Sequence, residues 1–270
     1  MYGLVQHFAD NFAAYALEGF EKDNSNSSID EDVRERSNKR PNPLSRSEWR
    51  RFDLSIIRFE LYCNLFRFHV AVGLGNSRRE LWFKHFSFWE SEQLACAYDY
   101  LSFCVEQGKA AVIPASIELY LHRGNSSSRA KENEALWTRR FDLFIYRPAA
   151  DFHLCRGLAW IRPFLEATSN QQRWDFFQDP TNQGTDDFFL ETEANEASHC
   201  IEEADIPLLT PDADTGPKDV WRWVQAQLPT YKYLFYAEQA SLRKPGYVMW
   251  DRERLDPWTV WRRPWGSGDA

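Results

Sequence analysis

The stretch LSRSEWRRFDLSIIRFELYCNLF, residues 44 to 66, decides the fold class. Ser45 is followed three positions on by Glu48. That is the spacing of a capping box, in which the serine oxygen and the glutamate carboxylate each accept a backbone N–H at a helix start. From there Trp49, Phe52, Ile56, Phe59, Cys63 and Phe66 recur at three- and four-residue steps, the period of an amphipathic helix. A second set, Ile57, Leu61, Leu65 and Phe68, widens the stripe. The expectation is a helix from about Arg46 to Val72, buried on more than one side and closed by Gly73 and Gly75.

The same signature recurs outward from it. Ser87 with Glu90 opens a second helix that should run to about Gln107, with Leu94, Ala97, Leu101 and residues 103 to 105 facing inward and Gly108 as its stop. Residues 110 to 122 form a third candidate with Pro114 near its start, and residues 134 to 146 a fourth that ends before Pro148. A fifth spans about Asp151 to Phe177, kinked or split at Pro163. Pro217 suits a first helical position, so VWRWVQAQL reads as another helix, closed by Pro229. Upstream, Leu4, Val5, Phe8, Phe12, Tyr15, Ala16 and Phe20 mark an N-terminal amphipathic helix over 4 to 20. GYVMW, 246 to 250, alternates weakly and leaves room for a short strand, whereas the longer GYVMWDRERLDPW reads as a terminal clasp with Trp250 and Leu255 turned inward.

The sum is a mainly α chain: a single irregular helical domain over 44–265, rich in aromatic core residues and preceded by a helix at 1–20 and a disordered linker at 21–43. Twelve Trp and 20 Phe supply that core, since each aromatic buries roughly 150–250 Å². The linker has almost no apolar residue with which to offset its ordering entropy. A flexible acidic insert is expected at about 178–216. Between Trp174 and Asp219 stand thirteen acids against one base, Lys218, so the rest of the chain is mildly basic although the net charge is -8. That balance argues against a protein built to neutralise phosphate backbones. There is no run of 18 apolar residues and no basic n-region before an apolar N-terminus. Five cysteines without regular spacing suggest reduced thiols. Together these point to the cytoplasm or nucleus and to no membrane.

No constellation of chemistry stands out. GLGNSR, 73 to 78, lacks the third glycine of a dinucleotide fingerprint and follows a helix rather than a strand. The histidines are scattered, so no metal site and no cofactor are expected, and no catalytic residue is assigned. The nearest pair to a nucleophile and base is His153 with Cys155, the starting point for an alternative in which an enzyme site is assembled from distant residues. Cys96 and Cys104 share a helical face and read as core. Carboxylate pairs such as Asp99 with Glu106 or Glu90 with Glu92 are what helix surfaces ordinarily supply. The doublets Arg50–Arg51 and Arg139–Arg140, interleaved with aromatics, are the basis for a weak nucleic-acid alternative. For a protein partner, Trp258, Trp261 and Trp265 with Arg262 are the candidates, in a tail broken by Pro257 and Pro264.

Three stretches carry a resemblance: residues 44–66, FSFWESEQLACAYDYL at 86–101, and PGYVMWDRERL at 245–255. Their order and wording (Arg-Phe-Glu-Leu, then Trp-Glu-x-Glu-Gln leading to Asp-Tyr-Leu, then Gly-Tyr-Val-x-Trp-Asp) resemble a group of filamentous-fungal proteins, many with F-box domains. The resemblance covers about 44 to 258. It implies a non-enzymatic intracellular protein-interaction region like the substrate side of F-box-like proteins, and by analogy a ubiquitin-ligase adaptor as partner. The F-box itself is not evident: residues 1 to 20 are too short for one, and the chain's Leu-Pro lies at 228–229. The resemblance brings no catalytic residues with it.

Overall fold

The computed structural model describes residues 2–25, 43–66, 82, 85–123, 153–178, 214–227 and 243–255. Among them are seven α-helices and no strand. They are α1 (Tyr2–Ser25), α2 (Arg46–Phe66), α3 (Phe88–Arg123), α4 (Leu158–Glu166), α5 (Asn170–Gln178), α6 (Gly216–Gln227) and α7 (Arg252–Leu255). The mainly helical class therefore holds. The expected helix at 134–146 and the GLGNSR stretch lie outside the described residues, as do most of the linker and most of the acidic insert. Helix α1 continues to Ser25, into what the sequence suggested was linker.

The expected capping box forms in full at α2 and by half at α3. At α2 the Ser45 N–H donates to Glu48 Oε2 at 2.8 Å and the Glu48 N–H to Ser45 Oγ at 3.1 Å. At α3 the Ser87 N–H donates to Glu90 Oε2 at 3.0 Å, and the Ser87 hydroxyl donates to the same oxygen instead of receiving the helix N–H.

The chain's contacts fall into two compact units. The first takes α1, α2 as far as Phe59, α3 as far as Tyr100, α6 and the 243–255 segment. Its core is a chain of rings. Phe12 of α1 stacks on Tyr100 of α3 at 4.7 Å and meets Phe52 of α2 edge-on at 4.9 Å, and Phe52 in turn meets Trp250 at 5.1 Å. Such pairs contribute about 0.5–1.5 kcal/mol each beyond their area. Val5, Phe8, Ala9, Ala13 and Ala16, all buried, share the inward face of α1 with Phe12. The short strand expected at 246–250 is replaced by a turn. Gly246 has φ 62 in the left-handed region, where a side chain is strained, and it caps a single 3-10 turn at Tyr247–Met249. Trp250 and Leu255 are fully buried, as the clasp reading required.

The second unit takes α2 from Glu60, α3 from Leu101, α4 and α5. Here Gly108 does not stop α3. A Cβ at Gly108 would lie 2.6 Å from the Phe164 ring, so the glycine is a packing notch inside a continuous helix that also absorbs the separate 110–122 candidate. Pro163 likewise stays inside α4. The break comes later, at Ala167, where α5 is started by a box of its own: the Ser169 N–H donates to Gln172 Oε1 and the Gln172 N–H to Ser169 Oγ, both at 3.2 Å. Helix α4 begins after Gly157, φ 79, which offers no capping side chain. Glu60 of α2 supplies the cap, its Oε2 accepting the Leu158 N–H at 2.7 Å. The carboxylate occupies the space a Cβ on Gly157 would need.

Candidate functional site

The three stretches that carry the resemblance interlock within the first unit. Arg58 of the Arg-Phe-Glu-Leu segment binds Glu90 and donates to Gln93 Oε1 at 2.7 Å, both in the Trp-Glu-x-Glu-Gln segment. Burial pulls the Arg58 pKa down although Glu90 faces it. Arg58 also lies over the Phe86 ring. At the other end of α2, Glu48 is buried and accepts four hydrogen bonds. They come from the Ser45 N–H at 2.8 Å, the Asp251 N–H at 3.0 Å, and Arg254 Nε and Nη2 at 2.8 Å each. Burial alone would raise its pKa, but these donors and the Arg254 charge hold it below the usual carboxylate value.

Arg51 completes this clasp. It is buried, and its guanidinium holds Asp214 through Nε at 2.8 Å and Nη2 at 2.7 Å, Asp251 at 2.8 Å and the Met249 carbonyl at 3.1 Å. Burial would weaken its hold on a proton, yet the two carboxylates raise its pKa. Asp214, which burial alone would shift upward, is held below the normal carboxylate range by Arg51. Arg51 is thus part of the framework rather than a nucleic-acid contact, a correction to the reading of Arg50–Arg51 as a basic surface doublet. Asp214 is also one point at which the end of the acidic stretch is tied down.

A second buried cluster centres on Arg243. Its Nε is 3.0 Å from Glu92 Oε1 and its Nη1 is 3.7 Å from Asp99 Oδ2. Burial raises the pKa of both acids, and Arg243 offsets this only in part. Tyr247 and Cys96, both fully buried beside Glu92, are pushed well above their ordinary values, first by burial and then by that carboxylate. The arrangement sets two acids, Glu92 and Asp99, around one buried guanidinium. It keeps the Cys96 thiol neutral and out of solvent, which suits a core residue.

The other residues singled out in the sequence fare differently. His153 is buried and stacks flat on Trp160 at 4.9 Å, while Cys155 is buried at the turn before α4. Cys104 is partly exposed where a core position was expected. Trp258, Trp261, Arg262 and Trp265 lie outside the described residues, as do Arg139 and Arg140. Among the described residues no group of three or more His, Cys, Asp or Glu side chains could hold a metal ion, and no helix is long and apolar enough to cross a membrane.

The surface feature that sequence reasoning missed is on α2. Ile57, Leu61 and Leu65, expected to be buried, are 41%, 46% and 42% exposed. They follow one another at four-residue steps, so they share one face, while Phe52, Ile56, Phe59 and Cys63 fill the opposite one. The signal was present as a second apolar row. Periodicity cannot tell a row that faces a core from one that faces water.

No protein-family model, curated protein or solved structure matches the chain.

Proposed function

We propose that this chain is a non-enzymatic protein-interaction domain, similar to the substrate-side region of fungal F-box-like proteins and acting in the cytoplasm or nucleus. The observation that carries the reading is the outward aliphatic row of α2. Single exposed hydrophobic residues are ordinary on any surface. Three in register on one helix, with the opposite face already buried, make the groove-docking pattern by which helices recognise partners. The pairing of Arg58 with Glu90 and of Arg51 with Asp251 supports the same view, because these residues lie in the stretches that carry the resemblance and hold α2 in place. The ligase adaptor stands as the partner suggested by family analogy, and Trp258, Trp261 and Trp265 as a second contact.

The test is affinity capture from filamentous-fungal extract with the tagged full chain, read by mass spectrometry. A Leu61→Glu, Leu65→Glu variant and a triple alanine variant at the three tail tryptophans are run alongside. The expected result is a defined set of proteins lost with the α2 variant. Recovery of adaptor and cullin in that set would extend the proposal to ligase membership. A set unchanged by either variant refutes it.

A further inference from the structure

Independently of the docking face, we infer that Cys63 and Cys155 form a redox-sensitive pair within the second unit, two thiols that a hydroperoxide converts into a disulfide joining α2 to the turn before α4. Neither cysteine is in a disulfide in the structure, and both are buried. The Cys63 thiol donates to the Leu154 carbonyl at 3.3 Å, across 91 positions of chain. The nitrogen of that same peptide group belongs to Cys155. In a trans peptide the carbonyl oxygen stands about 2.8 Å from the following Cα. The Cys63 sulfur is therefore no more than about 6 Å from the Cys155 Cα. From there, rotation about the two χ1 angles with a small backbone shift suffices to close an S–S bond of about 2 Å.

The turn that carries Cys155 is fastened to α2 one helical step from Cys63. Glu60, three residues earlier and so on the same face, accepts the Leu158 N–H at 2.7 Å and fills the space beside Gly157. Asn64 holds the other oxygen of that carboxylate at 3.1 Å. The turn itself is short, closed by the Arg156 N–H on the His153 carbonyl at 3.2 Å and the Gly157 N–H on the Leu154 carbonyl at 2.9 Å.

Buried thiols are inert while the turn is shut, and a short turn is the kind of element that opens locally without global unfolding. On opening, the Cys155 thiolate attacks the terminal oxygen of the peroxide. An S–O bond forms, the O–O bond breaks, and the leaving oxygen takes a proton and departs as water or alcohol. On reclosing, the Cys63 sulfur attacks the sulfenic sulfur. An S–S bond forms, and hydroxide leaves with the thiol proton as a second water. Two electrons pass from the sulfurs to the peroxide, and a dithiol reductant reverses the step. The product pins the start of α4 to α2 when the surroundings turn oxidising.

The experiment treats the full chain with hydrogen peroxide in the absence of denaturant, alkylates the remaining thiols after unfolding, and maps the peptides by mass spectrometry. The expected product is a Cys63–Cys155 peptide that dithiothreitol splits, with Cys96 recovered as a thiol. Glu60→Gln, which weakens the fastening at Leu158, should speed formation of the link about tenfold. In Cys155→Ala, checked for folding by far-UV circular dichroism, Cys63 should remain a thiol. Thiols that all survive the treatment overturn the inference, as does a sulfenic or sulfinic acid at Cys155 with Cys63 unlinked, or a link to another cysteine instead. A Cys63–Cys155 link found only in urea, or one whose rate Glu60→Gln leaves unchanged, overturns it as well, since each places the reaction in the unfolded chain.

Discussion

Replacing Glu48 by Gln changes one atom in a side chain that is 1% exposed and should unfasten the clasp. Oε1 accepts from Asp251 N–H and Arg254 Nε, and Oε2 from Ser45 N–H and Arg254 Nη2. Whichever way the amide turns, its NH₂ meets two donors. Breaking a buried pair from one side costs about 3–5 kcal/mol. Arg254 keeps 14% exposure and a bond to the Pro43 carbonyl, so the lower end applies. The expected loss is about 3 kcal/mol, of which the spoiled cap accounts for about 1. Urea denaturation gives the total, and hydrogen exchange resolved to residues 243–255 shows where it falls. The exposed Arg162–Glu166 pair is the control, with Arg162→Ala expected to cost under about 0.5 kcal/mol. Substituting Met at both Glu48 and Arg254 should recover about 1–2 kcal/mol relative to Glu48→Gln. A Glu48→Gln loss below about 1 kcal/mol, with exchange in 243–255 unaltered, would refute the reasoning.

Gly108→Ala should destabilise the second unit by about 1–3 kcal/mol, even though alanine gains about 1 kcal/mol of helix propensity. Phe164→Leu in the same chain should recover part of the loss, and a stabilised Gly108→Ala in thermal unfolding would mean that the notch is not filled. Glu48 and Asp214, with pKa values lowered on folding, contribute stability that is complete above the unfolded carboxylate range of about 4 and is lost as pH falls through their folded values. Glu92 and Asp99 are raised, so the folded chain binds their protons more tightly and stability declines as pH climbs from that range through their folded values. Glu92→Gln should therefore shrink the decline above pH about 4 and leave the acid limb intact. Urea midpoints between pH about 3 and about 7 decide it, and an undiminished decline would contradict the assignment.

What could be read in the sequence was local. The boxes at Ser45 and Ser87 set two helix starts because their partners sit three residues away. Gly108 and Pro163 misled because each was read as punctuation. Gly108 answers to a ring 56 positions on, and Pro163 sits within a helix that continues to Glu166. The stretch 246–258 was read as a clasp, and over its described part, 246–255, Trp250 and Leu255 are buried, but the partners of the charges in and beside it were invisible. Arg254 reaches Glu48 across 206 positions, Arg51 reaches Asp214 across 163, and Arg243 reaches Glu92 across 151. The outward row of α2 was legible as apolar and misread as core, since burial depends on what the remainder of the chain brings to that face.

Glu48 serves partners that emerge at very different times, Ser45 on one side and Asp251 and Arg254 on the other. A ribosome adding about 5–20 residues per second delivers Arg254 roughly 10–40 s after Glu48, whereas Ser45 is present from the outset. During that interval the capping box keeps the carboxylate bonded to the start of its own helix. The nascent α2 is thus not left with an orphan acid on its inward side while it waits for the segment that will bury it.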